Sequence, residues 1–131
     1  FHLAIAAPSE CLPTTQYIER LESANVSLHT DPIEAVKDAD VINTDVWLSM
    51  GQEDQAEKEA QFDNYQVNAE LLTHAHPNHI VLHCLPAYRG KEITDEVLEG
   101  FADVIFQQAE NRLHAQKSIL SKLATYKSDS L

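Results

Sequence analysis

The sequence contains few of the residues that interrupt or crosslink a chain. Its 131 residues include only three glycines, five prolines and two cysteines. This composition excludes a low-complexity or collagen-like chain and favours one folded domain. The two cysteines, Cys11 and Cys84, cannot form the framework of a disulfide-rich secreted domain. The sequence therefore suits a reducing cytosol, and we expect a cytoplasmic protein.

Basic residues are also scarce. Nine lysines and arginines oppose 21 aspartates and glutamates, which gives a formal net charge of -12 at pH 7. Binding to nucleic acid needs a clustered positive field, so we expect no nucleic-acid partner. The sequence has neither a signal peptide nor an apolar run of about 18 residues, so we expect no membrane association. The chain opens in a strand pattern, FHLAIAAP, without a methionine, and we expect it to be a fragment.

Strand and helix patterns alternate along the chain. Strands are predicted at HLAIAAP (2–8), VSLHT (26–30), DVINTDV (40–46), HIVLHCL (79–85) and ADVIFQ (102–107). Helices are predicted at TTQYIERLESA (14–24), DPIEAVKDA (31–39), NAELLTHA (68–75), TDEVLEG (94–100) and from about Ala109 to Leu123. Asp31 is the expected N-cap of the second helix, with Pro32 at its first position. This alternation predicts a three-layer, Rossmann-like α/β domain with a parallel sheet of about five strands and helices on both faces.

Chemically unusual segments follow three of the predicted strands. NTDVWLSMGQE follows the third strand, HCLPAYRG the fourth and QQAENRLHAQ the fifth. Parallel α/β sheets bind ligands beyond the carboxyl ends of their strands, so we expect these segments to converge on one site. No G-x-G-x-x-G motif follows the first strand, which disfavours a dinucleotide-binding module.

The segments DVINTDVWLSMGQE, HCLPAYRGKEITDEV and AENRLHAQKSIL resemble the C-terminal, ornithine-binding half of the ornithine carbamoyltransferases. Aspartate carbamoyltransferases share the fold and the LP turn but generally lack the SMG and HCLP forms. The resemblance implies transfer of the carbamoyl group of carbamoyl phosphate to the δ-amine of L-ornithine, which gives L-citrulline and phosphate. The reaction would serve arginine biosynthesis or the arginine deiminase route. The resemblance also implies no cofactor and a full-length enzyme that is a homotrimer or higher oligomer.

The resemblance assigns site residues by their place in these motifs. The implied ornithine-binding residues are Asp45, Ser49 and Met50. The implied carbamoyl phosphate site contains Cys84, Leu85 and Arg112, of which Cys84 and Arg112 are the implied catalytic residues.

The loop that contains Cys84 has two further implied features. The resemblance suggests a cis peptide bond between Leu85 and Pro86, which would aim carbonyl and thiol groups into the site. Tyr88 stands where the family usually has a histidine, so the local contacts of this loop are expected to differ.

The residue types suit the chemistry that the resemblance implies. Asp45 can bind one ammonium group of ornithine, while the δ-amine must become neutral before it attacks. We expect the Cys84 thiol to take or share that proton, because a nearby cation can bring a cysteine's pKa near the working pH. The guanidinium of Arg112 offers several fixed donors to an oxyanion.

Several of these residues also have purely structural interpretations. Cys84 could be a small buried hydrophobe, Asp45 a turn cap and Arg112 a surface ion pair, while Ser49 and Met50 could be loop and core residues. We interpret Trp47 as a packing residue. The histidine cluster at positions 74, 76 and 79 suggests a metal, but no carboxylate or thiol completes a familiar ligand set, so we expect none.

Two motifs of the carbamoyltransferases do not occur in this sequence. It has neither an STRTR-like phosphate loop nor an HPxQ-like motif. We therefore expect residues 1–131 to be the ornithine-binding domain without the N-terminal carbamoyl-phosphate-binding domain, and to be inactive alone. The alternative is a catalytically inactive amino-acid-binding or interaction domain of the same fold. Leu113, Ile119, Leu120 and Leu123 are apolar positions that in the family pack partly against the N-terminal domain.

Overall fold

The computed structural model describes residues 1–14, 17, 25–48 and 56–126. Four short strands form two parallel pairs. Strand β1 (Leu3–Ala6) pairs with β2 (Val26–His29), and β3 (Val41–Thr44) pairs with β4 (Ile80–His83). In the second pair, Thr44 lies opposite His83, so the residues that follow β3 and β4 emerge side by side.

Five α-helices accompany these strands in the described residues. They are α1 (Pro32–Val36), α2 (Ala56–Ala60), α3 (Ala69–Leu72), α4 (Asp95–Gly100) and α5 (Ala102–Thr125). Helix α1 packs against β1, β2 and α3, whereas α5 packs against β4 and α4. The α/β class with parallel strands is therefore confirmed.

Three of the short helices begin with a residue whose side chain caps the first turn. The Asp31 carboxylate accepts the Ile33 amide at 2.9 Å and Pro32 occupies the first turn of α1, as the sequence predicts. Asn68 caps α3 and Thr94 caps α4 in the same way. These bonds satisfy amides that have no partner within the helix, which matters most for helices of only four to six residues.

The hydrophobic core lies around β3, β4 and the helices that cover them. Its buried members are Val36, Ile42, Val67, Leu71, Leu72, Val81, Ile93, Val97, Leu98 and Ile105. Val81 on β4, Ile93 and Ile105 on α5 are completely buried. The end of β4 therefore rests on the most tightly enclosed part of the core.

The predicted fifth strand, ADVIFQ, is wrong. These residues form the start of α5, which runs without a break to Thr125. No glycine or proline occurs between Phe101 and Tyr126, so nothing in the sequence interrupts a helix there. Ile105 is buried while Phe106 is 62% exposed, and burial returns partly at Gln108 and Ala109, which is a helical spacing. A short apolar run does not distinguish a strand from a buried helix segment.

The expected single sheet of about five strands also differs from the structure. The described residues form two separate parallel pairs, each with its own hydrogen bonds. The helix predicted at 14–24 falls largely outside the described residues. Within the described part of the chain, no helix is both long and apolar enough to cross a membrane.

Candidate functional site

Two of the predicted site residues meet where β3 and β4 end. Asp45 directly follows β3 and Cys84 directly follows β4. The thiol of Cys84 donates a hydrogen bond to Asp45 Oδ1 at 3.1 Å. Both side chains are exposed, so the pair is open to a ligand. The parallel register of the two strands is what brings them together.

The hydrogen bond to Asp45 sets the protonation of the thiol. It raises the pKa of Cys84 above its ordinary value, and partial burial and the negative charge of Asp45 raise it further. The positive charge of Arg112 lowers the pKa of Cys84, but this effect is smaller. In this arrangement the pKa of Cys84 therefore shifts upward, which is opposite to the direction expected from a nearby cation.

Arg112 and Leu85 occupy two further sides of this pair. Arg112 lies exposed on α5, close enough for its charge to act on the Cys84 thiol. Leu85 is half-buried, and its peptide bond to Pro86 is cis, which confirms that prediction. The structure thus brings Asp45, Cys84, Leu85 and Arg112 into one region. Ser49 and Met50 lie outside the described residues.

A buried pair of polar side chains supports the loop that carries Cys84. His83 and Glu92 are both fully buried, and His83 Nε2 lies 2.9 Å from Glu92 Oε1. His83 Nδ1 accepts the Leu85 amide at 2.9 Å, so Nε2 carries the proton and donates to the carboxylate. The same Glu92 oxygen accepts the Tyr88 amide at 2.7 Å. One histidine and one glutamate thereby fix the backbone on both sides of Pro86.

Leu85 has an unusual backbone conformation for a large side chain. Its φ angle is 56°, in the left-handed region. That region costs a residue with a Cβ atom about 1–2 kcal/mol. The hydrogen bond from the Leu85 amide to the imidazole of His83 holds the residue there. The buried histidine therefore determines the direction of the backbone immediately after Cys84.

A cavity of about 380 Å³ opens beside Asp45. It lies between β1 and β3 along the whole length of β3, and its wall includes Trp47, Phe62 and Cys11. The size falls in the range of small-molecule sites. The rings of Trp47 and Phe62 stack with centroids 6.1 Å apart, which supports the packing interpretation of Trp47. Asp45 thus borders an open cavity on one side and contacts the thiol on the other.

The arrangement can now be compared with known proteins. The sequence profile described as aspartate/ornithine carbamoyltransferase, Asp/Orn binding domain, matches residues 1–123. The chain belongs to this carbamoyltransferase family.

Curated relatives and solved structures agree on the ornithine branch. An ornithine carbamoyltransferase from Akkermansia muciniphila is 62% identical over 125 residues, which are 95% of this chain and 41% of that protein. One from Archaeoglobus fulgidus is 53% identical over 126 residues, with coverages of 92% and 40%. The anabolic enzyme of Campylobacter jejuni superposes with a TM-score of 0.88 at 38% identity, over 97% of this chain and 44% of that one. The ornithine carbamoyltransferase of Pyrococcus furiosus gives 0.84 at 42% identity, with coverages of 96% and 43%. The chain therefore spans about two-fifths of the length of its curated relatives.

Asp45, His83 and Cys84 of this carbamoyltransferase domain also have the composition of a metal site. One ligand atom from each lies within 4.8 Å of the others. Both ring nitrogens of His83 are already engaged, however, one with the Leu85 amide and one with Glu92. A metal would have to break one of these buried bonds, so the geometry favours a hydrogen-bonded network.

Sequence reasoning identified the exposed members of the site and missed the buried ones. His83 and Glu92 received no role, although a histidine at the end of an apolar strand signals a need for a buried partner. Glu92 reaches it because the chain returns to Val67, whose amide donates to the Glu92 carbonyl at 2.8 Å. Of the suspected histidine cluster, His76 accepts the Asn78 amide within its own turn.

Proposed function

We propose that this chain forms the ornithine half of the active site of an ornithine carbamoyltransferase. The full-length protein would transfer the carbamoyl group of carbamoyl phosphate to the δ-amine of L-ornithine, giving L-citrulline and phosphate. The proposal rests chiefly on the contact between Cys84 and Asp45 at the ends of two parallel strands. Ornithine carbamoyltransferases at up to 62% identity support the choice of substrate class.

The first step is recognition of a cationic amino acid. Asp45 is exposed, and its Oδ1 accepts both the thiol of Cys84 and the Val46 amide. No hydrogen bond from the described residues engages its second oxygen, so that oxygen can accept an ammonium group, and the adjoining cavity can receive an aliphatic chain. We assign ornithine binding to Asp45 and, by the family motif, to Ser49 and Met50.

The second step is removal of a proton from the δ-ammonium group. Asp45 and Cys84 together hold one shared proton, the one that the thiol donates. The thiolate form of Cys84 can take the proton of the δ-ammonium group, which leaves a neutral amine beside it, while the Asp45 carboxylate stays charged and keeps its ammonium partner. An arriving ammonium group also weakens the effect of Asp45 on the thiol, so Cys84 can take part in the transfer.

The third step is attack on the carbamoyl carbon. A carbon–nitrogen bond forms, the carbon–oxygen bond to phosphate breaks, and one of the two amine protons leaves with the phosphate while the other stays on the citrulline nitrogen. Negative charge develops on the carbamoyl oxygen before the bond breaks. We assign its stabilisation to Arg112, whose forked donors never lose their charge, and we assign Leu85 to the wall of the carbamoyl phosphate site.

The full-length context is a further part of the proposal. We infer that residues 1–131 are one domain, that another part of the polypeptide binds the phosphate group, and that the chain is inactive alone. The complete protein would be a cytoplasmic homotrimer or higher oligomer. In it, β1 to β4 would belong to one parallel sheet of a three-layer domain. Size-exclusion chromatography with light scattering tests the oligomeric state.

Citrulline formation by the full-length protein tests the function itself. Cys84→Ser should lower kcat by roughly ten- to a thousandfold, because it removes a group that manages the amine proton. Arg112→Lys should lower kcat about thirtyfold to a thousandfold with little change in ornithine binding. Arg89→Lys is the matched control, because Arg89 forms exposed ion pairs with Asp95 and Glu99. A wild-type protein that binds ornithine but makes no citrulline would instead indicate an inactive binding domain.

A further inference from the structure

The last amide of β4 is satisfied by a side chain from α5. Gln108 Oε1 accepts the His83 backbone N–H at 3.0 Å. In the described structure, β4 pairs with β3 on one side only, so this amide points toward the open edge of the strand. A partly buried amide without an acceptor costs about 1–3 kcal/mol. Gln108 therefore fastens helix α5 to the residue that precedes Cys84.

The same face of α5 carries Arg112. Gln108 and Arg112 are four residues apart within one uninterrupted helix, so their side chains lie one above the other. Arg112 acts electrostatically on the thiol of Cys84. One helical turn thus holds the end of β4 and presents the guanidinium to the residue that follows that end.

We propose that Gln108 is a positioning residue that fixes the distance between the Arg112 guanidinium and the Cys84 thiol. The proposal rests on the proposed function, because this distance matters most when both groups act on one carbamoyl carbon. Gln108 touches no substrate and acts through the His83 amide. A misplacement of about 1 Å between catalytic groups can lower a rate by about a hundredfold, so one hydrogen bond suffices for this role.

Substitutions in the full-length protein test this role kinetically. Gln108→Met keeps the length of the side chain and removes the acceptor, and it should lower kcat about ten- to a hundredfold with little change in the KM for ornithine. Gln108→Glu keeps an acceptor oxygen and should retain kcat within about threefold of wild type. The matched control is Gln107→Met, because the Gln107 side chain is exposed and its hydrogen bonds to described residues go to Glu110 and Asn111 on its own helix. It should behave like the wild type.

The reactivity of Cys84 gives a second measurement that does not depend on turnover. The rate of alkylation by iodoacetamide is followed against pH by mass spectrometry of the Cys84 peptide, in a Cys11→Ser background. Loss of the bond to Gln108 lets Arg112 move away, so the pKa of Cys84 should rise and alkylation at pH 8 should slow about threefold. Gln107→Met should leave the profile unchanged.

The outcomes separate this proposal from the proposed function. A wild-type protein that makes no citrulline removes the function, and the alkylation profile still tests the positioning role. Equal kcat in the wild type and Gln108→Met, an unchanged alkylation profile, or a Gln108→Glu variant as impaired as Gln108→Met would each overturn the proposal. A fall in kcat with a shifted profile at unchanged melting temperature supports it.

Discussion

The carboxyl end of β4 and the second half of α5 differ in which side chains they bury. At the end of β4, the polar side chains of His83 and Glu92 are fully buried. Along α5, no residue after Ile105 is buried in the described part of the helix, and Leu120 and Leu123 are each 66% exposed. Burial of a polar group costs free energy unless the group is hydrogen-bonded. Full burial of a leucine side chain contributes about 1.5–3 kcal/mol, and these exposed leucines do not gain most of it.

This difference shows which features the chain completes by itself. The hydrogen bonds around His83 are formed within residues 83–108, although Glu92 Oε2 is buried without a partner among the described residues. The apolar end of α5 finds no cover among the described residues. The domain therefore combines a loop that is hydrogen-bonded to residues of the same chain with an apolar helix end that no described residue covers.

The largest effect is expected from breaking the buried network. Glu92→Ala removes the acceptor of the His83 imidazole and of the Tyr88 amide, both in a closed environment. We expect a loss of about 3–5 kcal/mol in the free energy of unfolding, because buried partners are left unpaired. Urea denaturation measures it.

The controls for this prediction separate burial from charge. Glu92→Gln keeps an acceptor oxygen and should cost clearly less than Glu92→Ala. Glu99→Ala removes an exposed carboxylate from α4 and should change stability by less than about 1 kcal/mol. Similar losses for Glu92→Ala and Glu99→Ala would mean that the buried network contributes little.

A smaller effect is expected at the exposed pair of Asp45 and Cys84, where the measured quantity is the reactivity of the thiol. Asp45 raises the pKa of Cys84 through the hydrogen bond to the thiol, so Asp45→Asn should lower that pKa. At pH 7 to 8, below the raised pKa, the thiolate fraction then increases and alkylation of Cys84 should accelerate about tenfold. Asp40→Asn, at an exposed position before β3, is the matched control and should leave the rate unchanged. A slower reaction in Asp45→Asn would contradict the assignment of the cause.

The two regions also differ in how far the sequence predicts them. The meeting of Asp45 and Cys84 is predictable, because carboxyl ends of neighbouring parallel strands lie at one edge. The role of Glu92 is not predictable, because Glu92 follows His83 by nine positions through irregular chain and no periodicity describes that path. Motifs identify the implied site residues, whereas the buried contact between His83 and Glu92 is visible only in the three-dimensional structure.

Helix α5 shows the reverse difficulty. ADVIFQ has the composition of a strand, yet it continues into a segment rich in strong helix formers with no interruption. The packing of α5 against β4 favours the helix, and those contacts link residues far apart in the sequence. Local pattern therefore gave the second half of the helix correctly and its first two turns wrongly.

The smallest effect on stability is expected at the exposed end of α5. Replacing Leu120 and Leu123 together with lysine should change the free energy of unfolding of the 131-residue chain by less than about 0.5 kcal/mol, because both side chains are already exposed. Self-association should weaken by about tenfold or more, since the variant removes much of an exposed apolar face. Sedimentation velocity over a concentration series measures this change.

The matched control for the helix end adds the same charge without removing apolar surface. Ser118 and Ser121 lie exposed on the same turns of α5, so the variant with lysine at both positions isolates the effect of charge. It should self-associate nearly as strongly as the original chain. If the serine variant dissociates equally, charge repulsion explains the result. In the full-length protein, where the family resemblance implies partial cover of this face, the leucine substitutions should lower Tm and the serine substitutions should not. That contrast would establish that this end of α5 packs against another part of the protein, unlike the self-contained end of β4.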